Sequence, residues 1–128
     1  PQIEGRQIQV ILTCPHVIPP IKADRTELEQ IFTNLLMNAI EELPQKGTLM
    51  IGISCCEGKI EVRVSDTGGG ILPEYQDAIF KPFFSTKSRG TGIGLPVARR
   101  IARLYHGDVS IEQTSTAGTT FLVTIPRE

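Results

Sequence analysis

Hydrophobic and polar residues alternate over several short segments of the chain. From residue 59 to residue 65 every second side chain is aliphatic, which is the two-residue period of a β-strand with one buried face. Glu57-Gly58 and Gly118 each separate a pair of such segments, so we expect two hairpins. The predicted strands cover residues 6–13, 48–56, 59–65, 108–113 and 119–125.

The segment from residue 24 to about residue 42 has the period of a helix. Asp24 and Glu27 form a capping box of the D-x-x-E kind, which marks the start of that helix. Apolar side chains recur on one broad face, and a narrow polar row lies opposite. The predicted core face consists of Leu28, Phe32, Leu35, Leu36, Ala39, Ile40 and Leu43, and the polar row of Glu27, Gln30, Asn34, Asn38 and Glu41.

Two asparagines in the polar row are unusual, because Asn is a poor helix former that is commoner at caps and turns. Asn34 and Asn38 stand one helical turn apart, so their amide oxygens could ligate a hard cation such as Mg²⁺. The alternative interpretation is an ordinary solvated helix face.

Two glycine clusters flank a polar segment in the second half of the chain. The first, Asp66-Thr67-Gly68-Gly69-Gly70, places a carboxylate at a strand end beside backbone that a flat ligand can approach, although a tight turn is the alternative. The second, Gly90-Thr91-Gly92-Ile93-Gly94-Leu95, opens into a helix over residues 96–106 whose N-terminus favours an anion. Neither cluster fits the Walker loop or the dinucleotide-binding fingerprint. We therefore predict a nucleotide site with a different phosphate-binding arrangement.

Between the clusters lie a short helix-like segment (73–80), three phenylalanines and three cations. A loop of this length is usually functional or disordered, and its aromatic residues favour a docking lid. The residues concerned are Phe80, Phe83, Phe84, Lys81, Lys87 and Arg89.

Composition narrows the class of protein. The 128 residues suit one domain, and a net charge of −1 gives no basic excess for nucleic acid binding. No apolar run approaches the ~20 residues of a membrane span. Three cysteines predict reduced thiols and a cytoplasmic domain, and a chain starting at Pro1 is expected to be part of a longer one.

Five sequence strings, in order, give the chain a family resemblance. It resembles the catalytic ATP-binding domain of two-component sensor histidine kinases, in the nitrogen-regulator-like branch of the GHKL superfamily. This implies the Bergerat fold, a two-layer α/β sandwich with a mixed sheet of about five strands, three helices on one face and an ATP lid. The strings are NLLMNAIEE, DTGGGI, IFKPFFSTK, GTGIGL and AGTTF, and together they lie within residues 24–125.

The resemblance also implies roles for residues. Asp66 would accept a hydrogen bond from the adenine amino group, Thr119 or Thr120 would supply a hydroxyl near the base, and Asn38 would ligate Mg²⁺. Lys87 would neutralise charge on the terminal phosphate. The implied catalytic residues are Asn34, Asn38 and Lys87, and the implied binding residues are Asn38, Asp66, Gly68, Gly70, Ile71, Phe83, Lys87, Gly90, Thr91, Gly92, Gly94, Leu95, Thr119 and Thr120.

The implied function is a transferase: the domain binds Mg-ATP and donates the γ-phosphate to a histidine on a separate dimerisation domain, which then serves a response regulator receiver domain. The full protein is expected to be a homodimer and this chain a monomer. His16 and His106 do not fit the family's acceptor pattern, so the chain alone should not phosphorylate itself.

Two alternatives stay open at this stage, a GHKL-type ATPase and a module that senses nucleotide without phosphotransfer. The ATPases carry a glutamate where this chain has Asn34, which cannot act as a base. Glu41 stands where many relatives have a basic residue, so a phosphate contact from that position is not carried over.

Overall fold

The structure, a computed structural model, describes residues 7–15, 18, 20–43, 46–81 and 94–127. Within these residues, two α-helices and five strands form the framework, and two short 3-10 helices follow the first glycine cluster. The strands are β1 (Gln7–Thr13), β2 (Lys46–Cys56), β3 (Lys59–Asp66), β4 (Asp108–Ser115) and β5 (Gly118–Pro126). The α-helices are α1 (Arg25–Glu42) and α2 (Gly94–Leu104), and the 3-10 helices are Pro73–Tyr75 and Ala78–Phe80.

The strands form one mixed sheet in the order β1-β2-β3-β5-β4. β1 pairs with β2 in parallel, and the other neighbours are antiparallel. Both predicted hairpins are present, as β2–β3 and β4–β5. The predicted two-layer sandwich is therefore confirmed, with the pair of 3-10 helices as its third helical element.

The core lies between the helices and one face of the sheet, which we call the inner face. On β3 and β5 every second side chain is buried. Val64 lies opposite Phe121, and Phe121 lies opposite Ile111, so apolar rows cross three strands. Alternate positions point to the other face of the sheet, which we call the outer face.

Helix α1 begins as predicted but packs differently. The backbone N–H of Glu27 donates to Asp24 Oδ1 over 3.0 Å, which confirms the cap. Ile31, which lies outside the predicted core face, is 0% exposed. It is buried because α1 packs against α2 as well as against the sheet. The row containing Asn34 and Asn38 thus flanks the buried stripe, and the prediction that it lies opposite the core was wrong.

Helix α2 ends in a Schellman motif, and the left-handed residue of the motif is not a glycine. The N–H of Gly107 donates to the Ala102 carbonyl over 2.9 Å, and the N–H of His106 donates to the Arg103 carbonyl over 3.1 Å. His106 itself has a φ of 66°. A Cβ at Gly107 would lie 1.8 Å from the Thr124 carbonyl oxygen, so glycine is needed there for contact with β5.

Tyr105 joins the end of α2 to the start of α1. Its hydroxyl donates to Glu27 and accepts from the Asp24 N–H over 2.9 Å. The hydrogen bond to Glu27 raises the pKa of Tyr105. The C-terminal half of α1 therefore lies towards the N-terminus of α2.

Two smaller expectations concern the surface. Cys14, Cys55 and Cys56 are free and exposed, as expected of reduced thiols. Within the described residues, no helix has the length and apolar character needed to cross a membrane.

Candidate functional site

Asp66 is the last residue of β3, and its carboxylate lies on the inner face of the sheet. It follows Val64 by two residues, so alternation directs it towards the core side, and it is only 5% exposed. Its Oδ1 accepts the backbone N–H of Gly68 over 2.9 Å. A buried carboxylate is stable only when it is hydrogen-bonded or paired, and this bond also fixes its orientation.

The glycine loop after Asp66 is held tightly against backbone on both sides. A Cβ at Gly68 would lie 2.5 Å from the Glu42 carbonyl oxygen, at the end of α1. A Cβ at Gly70, where φ is 84°, would lie 2.1 Å from the Ser115 carbonyl oxygen at the end of β4. By contrast, a Cβ at Gly69 would meet nothing within 4 Å. Gly68 and Gly70 therefore allow the loop to sit between α1 and β4, while Gly69 does not serve that purpose.

Only one of the two candidate threonines on β5 shares a face with Asp66. Thr119 lies opposite Asp66 in register and is also 5% exposed. Cβ atoms of such directly paired residues are roughly 5 Å apart. Thr120 points to the outer face, where its hydroxyl pairs with the Ser65 hydroxyl at 2.8 Å. Thr119 is therefore the residue that the structure brings beside Asp66.

Thr114, which is not among the predicted site residues, extends this polar row across a third strand. The β4–β5 register shifts between Ile111 and Gln113, which marks a β-bulge. Because of the extra residue, Thr114 lies opposite Thr119 on the inner face, and Gln113 is exposed. Strict alternation from Ile111 would have turned Gln113 inward instead. No residue pattern in the sequence shows this bulge in advance.

The hydroxyl of Thr114 makes two contacts at the site. It accepts the N–H of Ile71, in the glycine loop, over 2.9 Å. It also pairs with the hydroxyl of Thr119 at 2.8 Å. The loop, β4 and β5 are therefore joined at one side chain.

An ion pair on the outer face supports the bulge. Arg63 Nε and Nη2 donate to Glu112 Oε1 and Oε2 over 2.7 and 2.9 Å, a bidentate geometry. The hydrogen bond from Arg63 lowers the pKa of Glu112, and the same bond raises the pKa of Arg63. Glu112 is the bulged residue, so this pair holds the register shift that turns Thr114 inward.

The other end of the candidate site lies between the two helices. Asn34 and Asn38 are half-buried on α1. A Cβ at Gly94, the first residue of α2, would lie 3.8 Å from the Asn34 Cβ, Cγ and Oδ1 atoms. The N-terminal turn of α2, where free amides favour anions, thus lies beside Asn34.

Helix α2 is anchored by Arg99 and Arg103, which donate to Asp108 Oδ1 over 3.1 and 3.0 Å. Burial alone would raise the pKa of Asp108, but the hydrogen bonds from Arg103 and Arg99 outweigh it and hold that pKa below its ordinary value. The Arg99 guanidinium carbon also lies 4.1 Å from the ring centroid of Phe80. Phe80 packs edge-on against Phe121, with ring centroids 6.3 Å apart. The contact between Arg99 and Phe80 fixes the start of the Phe-rich segment to α2.

A separate cavity of about 230 Å³ lies between α1 and the sheet. On α1 it is lined by Leu28, Phe32 and Leu36, a different flank from that of the asparagines. All of its lining residues are aliphatic or aromatic. It offers nothing to a phosphate or a purine edge and is not the candidate site.

Comparison with known proteins identifies the family of this fold. Residues 23–128 match the family described as histidine kinase-, DNA gyrase B-, and HSP90-like ATPase. The chain belongs to this ATPase family. Membership of an ATPase family supports the prediction that the domain binds a nucleotide.

The sequence of this ATPase domain is similar to those of curated kinases, including a sensor histidine kinase. It is 36% identical over 122 residues to the sensor histidine kinase ZraS of Escherichia coli K12, covering 95% of this chain and 26% of that protein. It is 37% identical over 106 residues to sporulation kinase C of Bacillus subtilis, covering 83% and 25% respectively. The chain therefore spans about a quarter of the length of these relatives.

Solved structures support the same family. The catalytic domain of histidine kinase ThkA superposes with a TM-score of 0.88 at 32% identity, covering 98% of this chain and 83% of that one. Full-length ShkA, solved in complex with AMPPNP, gives a TM-score of 0.85 at 26% identity, covering 98% of this chain and 27% of ShkA. The predicted resemblance to histidine kinase catalytic domains is confirmed.

The remaining predicted site residues of the ATPase domain fall into two groups. Ile71 and Leu95 are half-buried against the core, at the glycine loop and the first turn of α2. The others lie outside the described residues, and their roles stay predictions. They are Phe83, Lys87, Gly90, Thr91 and Gly92.

Proposed function

We propose that this domain binds Mg-ATP and donates the γ-phosphate to a histidine on a dimerisation and phosphotransfer domain of the same protein. The sensor histidine kinase ZraS and sporulation kinase C support the proposal, and both are about four times as long as the matched region. In a two-component system the phosphoryl group would then pass to a response regulator receiver domain. The full protein would act as a homodimer, with this domain as a single ATP-binding unit.

The observation that carries the proposal is the buried row of Asp66 and Thr119 beside glycine backbone. Adenine presents an amino donor next to the N1 acceptor, and this row offers a carboxylate acceptor next to a hydroxyl. Guanine presents a carbonyl oxygen and an N–H donor at the same positions, so its carbonyl oxygen would face the Asp66 carboxylate, with one acceptor against another. An unsatisfied buried group costs roughly 1–3 kcal/mol, so the site should select adenine. We call Asp66, Gly68, Gly70, Thr114 and Thr119 the base end.

We call Asn34, Asn38 and Gly94 the phosphate end. Amide oxygens are hard ligands that suit Mg²⁺, which commonly keeps water and phosphate oxygens as its other ligands. Asn38 would hold the ion, and the bound ion would neutralise charge on the phosphates. Gly94 would offer its backbone N–H at the start of α2. The AMPPNP complex of full-length ShkA supports a nucleotide at this fold.

Phosphoryl transfer needs positioning and charge neutralisation more than covalent chemistry from the protein. The base end would fix the purine, and the phosphate end would align the terminal phosphate for an incoming histidine. Lys87 is the proposed source of additional positive charge. His106 forms the left-handed end of α2, where its backbone closes the helix, so it is not proposed as the acceptor.

Hydrolysis of ATP by the domain itself is the second candidate function. It would need a base one turn before Asn38 to activate water, and the residue there is Asn34. An amide does not accept a proton at neutral pH, so we propose transfer to histidine instead. A nucleotide-sensing module without phosphotransfer is the remaining alternative.

Calorimetric titration of the purified chain with ADP and GDP, with and without Mg²⁺, tests the binding part of this proposal. We expect ADP to bind at least about tenfold more tightly than GDP, since roughly 1.4 kcal/mol separates the two. Mg²⁺ should strengthen ADP binding further. Equal affinity for the two purines, or no binding, would contradict the proposal. With γ-labelled ATP, label should reach protein only when the acceptor domain is added, and steady phosphate release by the chain alone would favour the ATPase.

A further inference from the structure

We infer that Thr114 is a positioning residue for adenine recognition, a role that rests on the proposed function of the base end. Its hydroxyl accepts the Ile71 N–H over 2.9 Å and pairs with the Thr119 hydroxyl at 2.8 Å. The first contact holds the glycine loop, and the second reaches the threonine opposite Asp66. One side chain on β4 therefore sets the spacing of two walls of the site.

The β-bulge gives Thr114 this position. Without the register shift between Ile111 and Gln113, residue 113 would face inward and Thr114 would face outward. The bulged Glu112 is held by Arg63 in a bidentate ion pair on the outer face. Bulges are commonly found where a strand must redirect a side chain next to a functional site.

The protons and lone pairs of the Thr114 and Thr119 hydroxyls indicate how Thr114 affects ligand binding. A threonine hydroxyl has one proton and two lone pairs, and one lone pair of Thr114 accepts the Ile71 N–H. When the Thr114 proton is donated to Thr119 Oγ1, the Thr119 proton is left to point into the site. The row then presents an acceptor, Asp66, beside a donor, Thr119. That order complements the amino group and N1 of adenine, directly or through one water.

Thr114→Val tests the role, because it removes the hydroxyl and keeps the shape. We expect it to weaken binding of ADP about tenfold, the effect of one or two lost hydrogen bonds. Binding of purine riboside diphosphate, which has N1 but lacks the amino group, should weaken by the same factor. The ratio between the two ligands reports the contact of Asp66 with the amino group and should stay unchanged.

Two further variants separate this role from a general effect on folding. Thr114→Ser keeps the hydroxyl and should bind ADP within about twofold of the parent. Thr124→Val removes a hydroxyl on the outer face of β5 and should leave ADP binding unchanged. The melting temperature of each ligand-free variant, measured alongside, reports any loss of stability.

The inference is overturned if Thr114→Val binds ADP like the parent, or if Thr114→Ser loses as much affinity as Thr114→Val. A changed ratio between ADP and purine riboside diphosphate, with a lower melting temperature, would also overturn it in favour of a purely structural role. These results differ from failure of the proposed function, in which the parent chain itself would not bind ADP.

Discussion

The base end and the phosphate end are built from different kinds of structure. At the base end Asp66 and Thr119 are each 5% exposed, lie on paired strands and are joined to a glycine loop by short hydrogen bonds. At the phosphate end Asn34 and Asn38 are half-buried on a helix, and Asn34 lies beside Gly94 in the first turn of the next helix. The base end is therefore held in place by hydrogen bonds within the fold, whereas we expect Mg²⁺ and phosphate oxygens to complete the phosphate end. Selectivity for adenine should then be independent of Mg²⁺, and the gain from Mg²⁺ should be independent of the base.

The largest expected effect comes from Asp66→Asn. The Gly68 N–H occupies Oδ1 of Asp66, so the amide oxygen of Asn should take that place and direct the NH₂ group towards the ligand. Two donors would then face each other in place of the donor and acceptor that bind adenine. ADP affinity should fall about a hundredfold, since a hydrogen bond to a charged group contributes roughly 1.5–3 kcal/mol. Calorimetric titration measures the fall.

The same variant should reverse the preference among purines. IDP presents a carbonyl oxygen where ADP has its amino group, so Asp66→Asn should favour IDP over ADP. Asp77→Asn, at an exposed position before the second 3-10 helix, is the matched control and should leave both affinities unchanged. If Asp66→Asn bound ADP as well as the parent does, Asp66 would not contact the amino group.

The next effect compares Gly70, in the base end, with its neighbour Gly69. Gly70→Ala would place a Cβ 2.1 Å from the Ser115 carbonyl oxygen at a φ of 84°, whereas Gly69→Ala meets nothing within 4 Å. The left-handed conformation and the forced shift should cost Gly70→Ala about 2–4 kcal/mol of unfolding free energy. Gly69→Ala should stay within about 0.5 kcal/mol of the parent. Denaturant titration of the two variants measures the difference, and equal stability would show that the loop does not pack on β4 as described.

The sequence predicts the base end well where chemistry and local pattern coincide. Asp66 ends a cleanly alternating strand and precedes glycines, so its place could be inferred without the structure. Thr114 could not, because a β-bulge reverses alternation and leaves no residue type that marks it. The choice between Thr119 and Thr120 likewise needed the register of β5 against β3, which is a long-range property.

The helices also show which features can be predicted from the local sequence and which cannot. The cap at Asp24 is a local feature and was predicted correctly. Burial of Ile31 depends on a second helix that packs against the first, which periodicity along α1 cannot reveal. Gly107 is likewise required by the Thr124 carbonyl of β5 and not by its own φ, which no local pattern shows. Local rules therefore find the elements, and contacts between elements decide which residues form the site.

The smallest effect, Asn38→Ala, addresses the phosphate end alone. Removing one of several oxygen ligands should weaken binding of Mg-ADP about tenfold and leave binding of ADP without Mg²⁺ within about twofold of the parent. Gln30→Ala, an exposed position in the same polar row, is the matched control and should change neither. Alanine raises helix propensity at both positions, so a loss of affinity in Asn38→Ala could not come from a weaker α1. Should Asn38→Ala weaken ADP equally with and without Mg²⁺, the two ends would not be independent, and Asn38 would contact the nucleotide rather than the ion.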